Sequence, residues 1–132
     1  MTAPTRPLPR FPEPDTEPFW SATKQHRLLY QVNSATGEVV FFPRRAVDVD
    51  LEWAESAGRG TIYTFTVIRQ HGQPYFRGRV PYVVAFVDLD EGVRILSEIV
   101  ADPATVHIGA RVSVDWEDHD ELSVPVFRLV EV

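Results

Sequence analysis

Hydrophobic and polar residues alternate over most of the chain after Leu51, and the breaks fall at glycine, proline and acidic turns. Residues 61–69 set threonines against Ile62, Tyr63, Phe65 and Val67, the pattern of a half-buried strand. Residues 81–89 are nearly all apolar, as in a central strand covered on both faces. Asp90-Glu91-Gly92 is a tight turn, and residues 93–100 return from it. Asp102-Pro103 opens a short helical turn, and Ile108-Gly109 leads into a strand over residues 111–116. Residues 117–123 form an acidic loop, and 124–130 are the last strand. Residues 51–57 read as the first strand of this set, ahead of a turn or bulge at Gly58-Arg59-Gly60. Residues 70–80 form a long loop. Five or six short strands with one helical turn predict an all-β fold, an OB-type barrel. An SH3-like barrel or a small sandwich is the alternative.

The first fifty residues follow other rules. Pro4, Pro7, Pro9 and Pro12 disfavour helix and sheet ladders, so residues 1–14 read as an extended or disordered arm. Asp15-Thr16-Glu17-Pro18 carries a capping residue, an early proline and an acidic first turn, which start a helix over about residues 17–26. Phe19, Trp20 and Thr23 share one side of it. Residues 27–32 and 38–42 then form a hairpin around a turn at 33–37, where Gly37 is free to take positive φ. The expected organisation is an arm over 1–14, a helix and hairpin over 15–50, and a barrel over 51–132.

Length and composition narrow the class. A chain of 132 residues is one domain by size. No apolar run approaches the ~20 residues that span a bilayer, and prolines stand where a signal peptide needs an apolar stretch. A cytoplasmic protein without membrane contact is expected. There is no cysteine, which removes disulfides, thiolate metal sites and a cysteine nucleophile. A net charge of −6 argues against nucleic acid as the partner.

Several blocks in order resemble a known family. They are Gly58-Arg59-Gly60-Thr61-Ile62-Tyr63-Thr64-Phe65-Thr66, Val80-Pro81-Tyr82-Val83-Val84, Asp90-Glu91-Gly92-Val93, Val106-His107-Ile108-Gly109-Ala110-Arg111-Val112 and Pro125-Val126-Phe127-Arg128. Upstream, Pro18-Phe19-Trp20, Arg27-Leu28-Leu29-Tyr30-Gln31 and Phe42-Pro43-Arg44 fit the same order. Together they resemble the acyl-CoA-associated OB-fold family, long known only as a domain of unknown function. The resemblance implies an N-terminal helix, a rubredoxin-like zinc ribbon and an OB barrel. It implies a hetero-oligomer with a thiolase-like enzyme, such as an acyltransferase or the retro-aldolase that cuts steroid side chains, in which the partner carries the chemistry. One departure is large. The first of the family's two CxxC pairs falls on Asn33 and Thr36, and the second near residues 46–50. Zinc requires thiolate or imidazole donors, so no cofactor is expected. The hairpin is expected to stand without metal, through its turn and the packing of Leu29, Val39 and Phe41.

Candidate contacts follow from residue type. The 69–79 loop gathers Arg69, His71, Tyr75, Phe76, Arg77 and Arg79, cations and aromatics suited to a protein partner or to the phosphates of CoA. Phe19, Trp20 and Trp53 are either interface anchors or core. Asp115, Glu117, Asp118, Asp120 and Glu121 form an acidic cluster without calcium-loop spacing, and a solvated turn is the plain reading; His119 within it lacks a second imidazole nearby in sequence. His26, His71 and His107 show no metal-ligand spacing, and Ser97 and Ser113 lie in strands without a nucleophile elbow. No catalytic site is expected. The chain reads as a non-catalytic accessory subunit of a thiolase-like, acyl-CoA-processing enzyme. The alternatives are a module that binds acyl-CoA directly and an OB-fold that binds single-stranded nucleic acid.

Overall fold

A computed structural model describes residues 3–44 and 50–130. In chain order the elements are α1 (Glu17–Thr23), β1 (Leu28–Asn33), β2 (Val39–Val40), β3 (Leu51–Ser56), β4 (Arg59–Ile68), α2 (Pro74–Arg77), β5 (Tyr82–Leu89), β6 (Arg94–Ile99), a 3₁₀ turn at Pro103–Thr105, β7 (Arg111–Asp118) and β8 (Ser123–Leu129). Strands β4, β5, β6, β8 and β7 close a barrel in that order. Closure runs through a parallel contact of Ile99 with Phe127 and an antiparallel one of β4 with β7. The mostly antiparallel five-stranded barrel is the expected OB architecture. Val83, Val87, Val112 and Phe127 are fully buried inside it.

One strand belongs elsewhere. Residues 51–57 were expected to begin the barrel, but β3 pairs with β1 along its whole length, from Leu28↔Ser56 to Asn33↔Leu51. The expected hairpin is thus a three-stranded sheet of order β2-β1-β3. Period-two alternation reports that a strand is half buried, not which sheet it joins. Glu91 fastens this sheet to the barrel. It accepts from Ser56 Oγ at 2.6 Å and from the Ala57 amide at 2.9 Å.

Helix α1 is shorter than its pattern. His26 takes φ 58° and the Arg27 amide reaches back to the Ala22 carbonyl at 3.1 Å, a C-terminal motif usually built on glycine. The start of the helix has no side-chain cap, contrary to the expected use of Asp15 or Thr16; the Glu13 carbonyl accepts from the Thr16 and Glu17 amides instead. His26 then stacks on Trp116 at 5.3 Å and bonds Asp118 at 2.6 Å, which holds the end of α1 to β7.

Thr23 is fully buried. Its hydroxyl donates to the Trp20 carbonyl at 2.6 Å and accepts from the Ser123 amide at 3.0 Å, so it joins α1 to β8. Thr23→Val keeps the shape and strands a buried N–H. It should cost about 2 kcal/mol, read as a lower urea midpoint with an unchanged slope.

Candidate docking face and its ionic edge

Helix α1, the hairpin and the outer wall of the barrel enclose an open groove of about 380 Å³. Its lining is mostly apolar and includes Trp20, Phe41, Phe42, Leu96, Val124 and Pro125. The reason lies in strand geometry. Outward positions on β5 and β6 are Val84, Phe86, Leu96 and Glu98, with Phe86 opposite Leu96 and Val84 opposite Glu98. An outer wall normally carries polar residues; this one carries Leu96 at 48% exposure, and Phe42 at 70% stands across the groove from the hairpin side.

Phe19 and Trp20, each read as an interface anchor or as core, divide those roles. Phe19 is buried, edge-on to Trp20 at 4.9 Å and to Phe41 at 5.7 Å. It is core that backs the groove, because its side of α1 faces the barrel. Trp20 is half-buried and lines the groove. Trp53 is half-buried and packs against the core cluster.

The 69–79 segment is more ordered than a loop. Gln73 accepts from the Tyr75 amide at 2.7 Å and caps α2. Phe76 stacks on Tyr82 at 5.5 Å, and the His71 ring packs on Phe76 at 4.8 Å. Tyr75, Phe76 and Arg79 meet at one end of the groove. Arg69 and Arg77 do not join them: both are exposed, and Arg77 is turned onto the Gly72 carbonyl at 2.6 Å.

Arg6 also sits at that end, which the sequence did not signal. Its Nε and Nη2 donate to the two carboxylate oxygens of Glu117 at 2.7 and 2.9 Å, and Nη2 also donates to Glu98 at 2.9 Å. The guanidinium lies over Tyr75 at 5.0 Å and Phe76 at 5.4 Å. Arg79 donates to the second oxygen of Glu98 and to the Tyr75 hydroxyl. His119 completes the cluster with a 2.7 Å bond to Glu117. The side chains of Arg6 and Glu98 are 10% and 8% exposed. Burial opposes the charge on Arg6, but its hydrogen bonds to Glu117 and then Glu98 outweigh that and raise its pKa. Burial likewise pushes the Glu117 carboxyl up, while Arg6 and His119 together hold it below the usual carboxylate range. Burial, then Glu98, raises the Tyr82 phenol. Arg6 therefore holds the proline-rich arm to the barrel wall.

The acidic residues are not one solvated turn. Glu117 and Asp118 are in β7, whose ladder continues to Asp118↔Ser123. Asp115 pairs with Arg128, and Asp118 accepts from Ser123 Oγ at 2.6 Å. Asp120 and Glu121 are the exposed remainder.

At the hairpin turn, Asn33 Oδ1 accepts from the Ala35 and Thr36 amides at 2.9 and 3.2 Å. The first expected donor position is thus an Asx turn. Of residues 46–50, near which the second was expected, 46–49 lie outside the described residues. The donors present do not fit zinc: the chain has no cysteine, and Asn33 spends its oxygen on its own turn. Gln31, 3% exposed, bonds the amide and carbonyl of Arg44 at 2.8 and 2.7 Å and fixes the chain after the hairpin. Among the described residues no three His, Asp or Glu gather in a metal-holding geometry, and no helix is long and apolar enough to cross a membrane.

Comparison with known proteins accounts for this architecture. Residues 53–117 match the family model described as the C-terminal OB-fold domain of ChsH2. A DUF35 domain-containing scaffold protein of Methanocaldococcus jannaschii is 33% identical, over 77% of this chain and 79% of the relative. The chain belongs to the DUF35 family of ChsH2-type OB-fold proteins. The solved structure of an Ltp2-ChsH2(DUF35) aldolase superposes with a TM-score of 0.78 at 34% identity, covering 94% of this chain and 98% of that one. The alpha subunit of 3-oxo-4,17-pregnadiene-20-carboxyl-CoA hydratase of Mycobacterium tuberculosis is 40% identical over 83% of this chain. This DUF35 chain spans 36% of that subunit's length.

Proposed function

We propose that this DUF35 chain is a non-catalytic, cytoplasmic accessory subunit that binds and stabilises a thiolase-like acyl-CoA-processing enzyme. A steroid or fatty-acyl side-chain aldolase is the favoured partner, with an acyltransferase as the other choice. The observation that carries this is the groove: an apolar outer wall on a barrel, flanked by aromatic side chains and open to solvent. The similar aldolase is named for a DUF35 protein together with a second protein, which supports a hetero-oligomer. Among the described residues that line it, no nucleophile is paired with a base. Its buried charges are neutralised by one another, as suits a scaffold rather than a catalyst.

Direct binding of acyl-CoA finds less support. The CoA phosphates need free cations at the groove, and Arg6 and Arg79 are committed to Glu98 and Glu117. The same commitment, with the net charge of −6, weighs against single-stranded nucleic acid. Co-expression of the chain with a candidate thiolase-like protein of the same organism tests the proposal. A stable complex on size-exclusion chromatography is expected; two separate peaks at micromolar concentration overturn it.

The hairpin should do its part without zinc. Chelation by EDTA, or addition of zinc, should leave the melting temperature within about 1 °C, whereas removing a structural zinc costs most of a small domain's folding energy. A large drop on chelation would show a metal held elsewhere in the chain.

A further inference from the structure

The arm that carries Arg6 is attached in an unusual way. Among the described residues, no backbone hydrogen bond ties residues 3–12 to the barrel. Most of the arm is exposed; Leu8 is 42% exposed, and Arg10 pairs only with Glu13 beside it. Arg6 is the exception. Its side chain enters a site built by three separated stretches: Tyr75 and Phe76 from α2, Glu98 from β6, and Glu117 from β7. Two carboxylates receive the planar fork, and its central carbon lies over the rings of Tyr75 and Phe76. Both the ionic and the π-facing demands of a guanidinium are met. A lysine ammonium could use the charge but not the fork.

The geometry points to a guanidinium-binding site that Arg6 fills as an exchangeable, tethered ligand. Its natural competitor is an arginine in an extended, proline-flanked segment of a partner protein, the form in which Thr5-Arg6-Pro7 presents its own. The inference stands apart from the docking proposal, since the site lies at the end of the groove and is complete within this chain. It has a consequence for the groove all the same. Arg6 forms part of the groove's lining. An incoming arginine segment that displaces the arm would replace or remove that end wall. Tethering favours the resident arm, because a short flexible tether gives an effective concentration on the order of millimolar. An outside segment therefore succeeds only with further contacts of its own, or when Arg6 is gone.

The test uses the full chain and a labelled peptide of residues 3–11, followed by fluorescence anisotropy at low salt. Arg6→Ala should bind the peptide saturably, and the wild type at least tenfold more weakly, because its own arm competes. The same peptide with alanine in place of its Arg6 should bind the Arg6→Ala protein at least tenfold more weakly than the parent peptide. Raising the salt should weaken binding, as expected for a partly exposed ionic contact. Arg6→Met, which keeps an unbranched apolar stem, carries the same expectations and serves if Arg6→Ala does not fold. Absence of saturable binding to the folded variant up to millimolar peptide overturns the inference. Equal binding of the arginine and alanine peptides, or equal binding by wild type and variant, also overturns it.

Discussion

Leu96→Glu should fold as the wild type does and lose the proposed thiolase-like partner. Leu96 is on the outer wall of the barrel, 48% exposed, opposite Phe86 and within the groove. A carboxylate there stays hydrated in the free subunit, so the fold loses little. In the proposed complex it would lose its hydration, and this chain's Arg6 and Arg79 are already held by Glu98 and Glu117. Charges stranded at the centre of an interface are among the costliest substitutions known there. A loss of about 100-fold in affinity, or ~3 kcal/mol, is expected by titration calorimetry against the co-expressed partner. Ile108→Glu is the control. Ile108 is 64% exposed but does not line the groove, so binding should be unchanged. If Ile108→Glu breaks the complex and Leu96→Glu does not, the docking face is elsewhere on the barrel.

Gly60→Ala should cost the barrel about 3 kcal/mol or more, although it adds a single methyl group. Gly60 sits where β4 is paired on both sides, to Leu89 of β5 and to Val112 of β7. A Cβ at this position would lie 2.5 Å from the Asp88 carbonyl oxygen and 2.8 Å from Val87 Cγ1. The first of these is backbone and cannot rotate away. Relief requires β5 to move, and β5 is bound in turn to β6 along six residue pairs. Urea denaturation followed by tryptophan fluorescence should show a midpoint shift large enough to leave much of the protein unfolded at 37 °C. Gly37→Ala makes a useful contrast. Among the described residues nothing lies within 4 Å of its added methyl, so its cost is that of the left-handed backbone at φ 77°. A Gly60→Ala protein as stable as Gly37→Ala would show that β4 does not hold this register.

The barrel was legible because alternation, turn residues and strand lengths agree over residues 59–129. The short turn at Asp102-Pro103 was legible for the same reason: Asp102 accepts from the Ala104 amide at 3.0 Å, a local event that sequence can encode. The end of α1 was not, because His26 supplies the left-handed residue where a glycine would have announced it. The candidate site was half legible. Tyr75, Phe76 and Arg79 were identified as contact residues by type, and they do meet. Arg69 and Arg77, identified on the same grounds, are exposed, and Arg77 is turned onto the Gly72 carbonyl.

Local order, then, belonged to the amino-acid sequence: the strands of the barrel, the helix start, the turns, the lack of thiolate chemistry and the acidic balance. These depend on neighbours a few residues apart, and residue type is enough to read them. Tertiary structure alone decided three things. It gave β3 to the hairpin sheet, it turned Phe19 inward, and it brought Arg6 onto Glu98 and Glu117, which lie 92 and 111 residues away along the chain. A half-buried strand carries no label for its partner, and an arginine among prolines carries none for its carboxylates. Only closure of the barrel, with the arm laid across its wall, sets those groups within hydrogen-bonding distance.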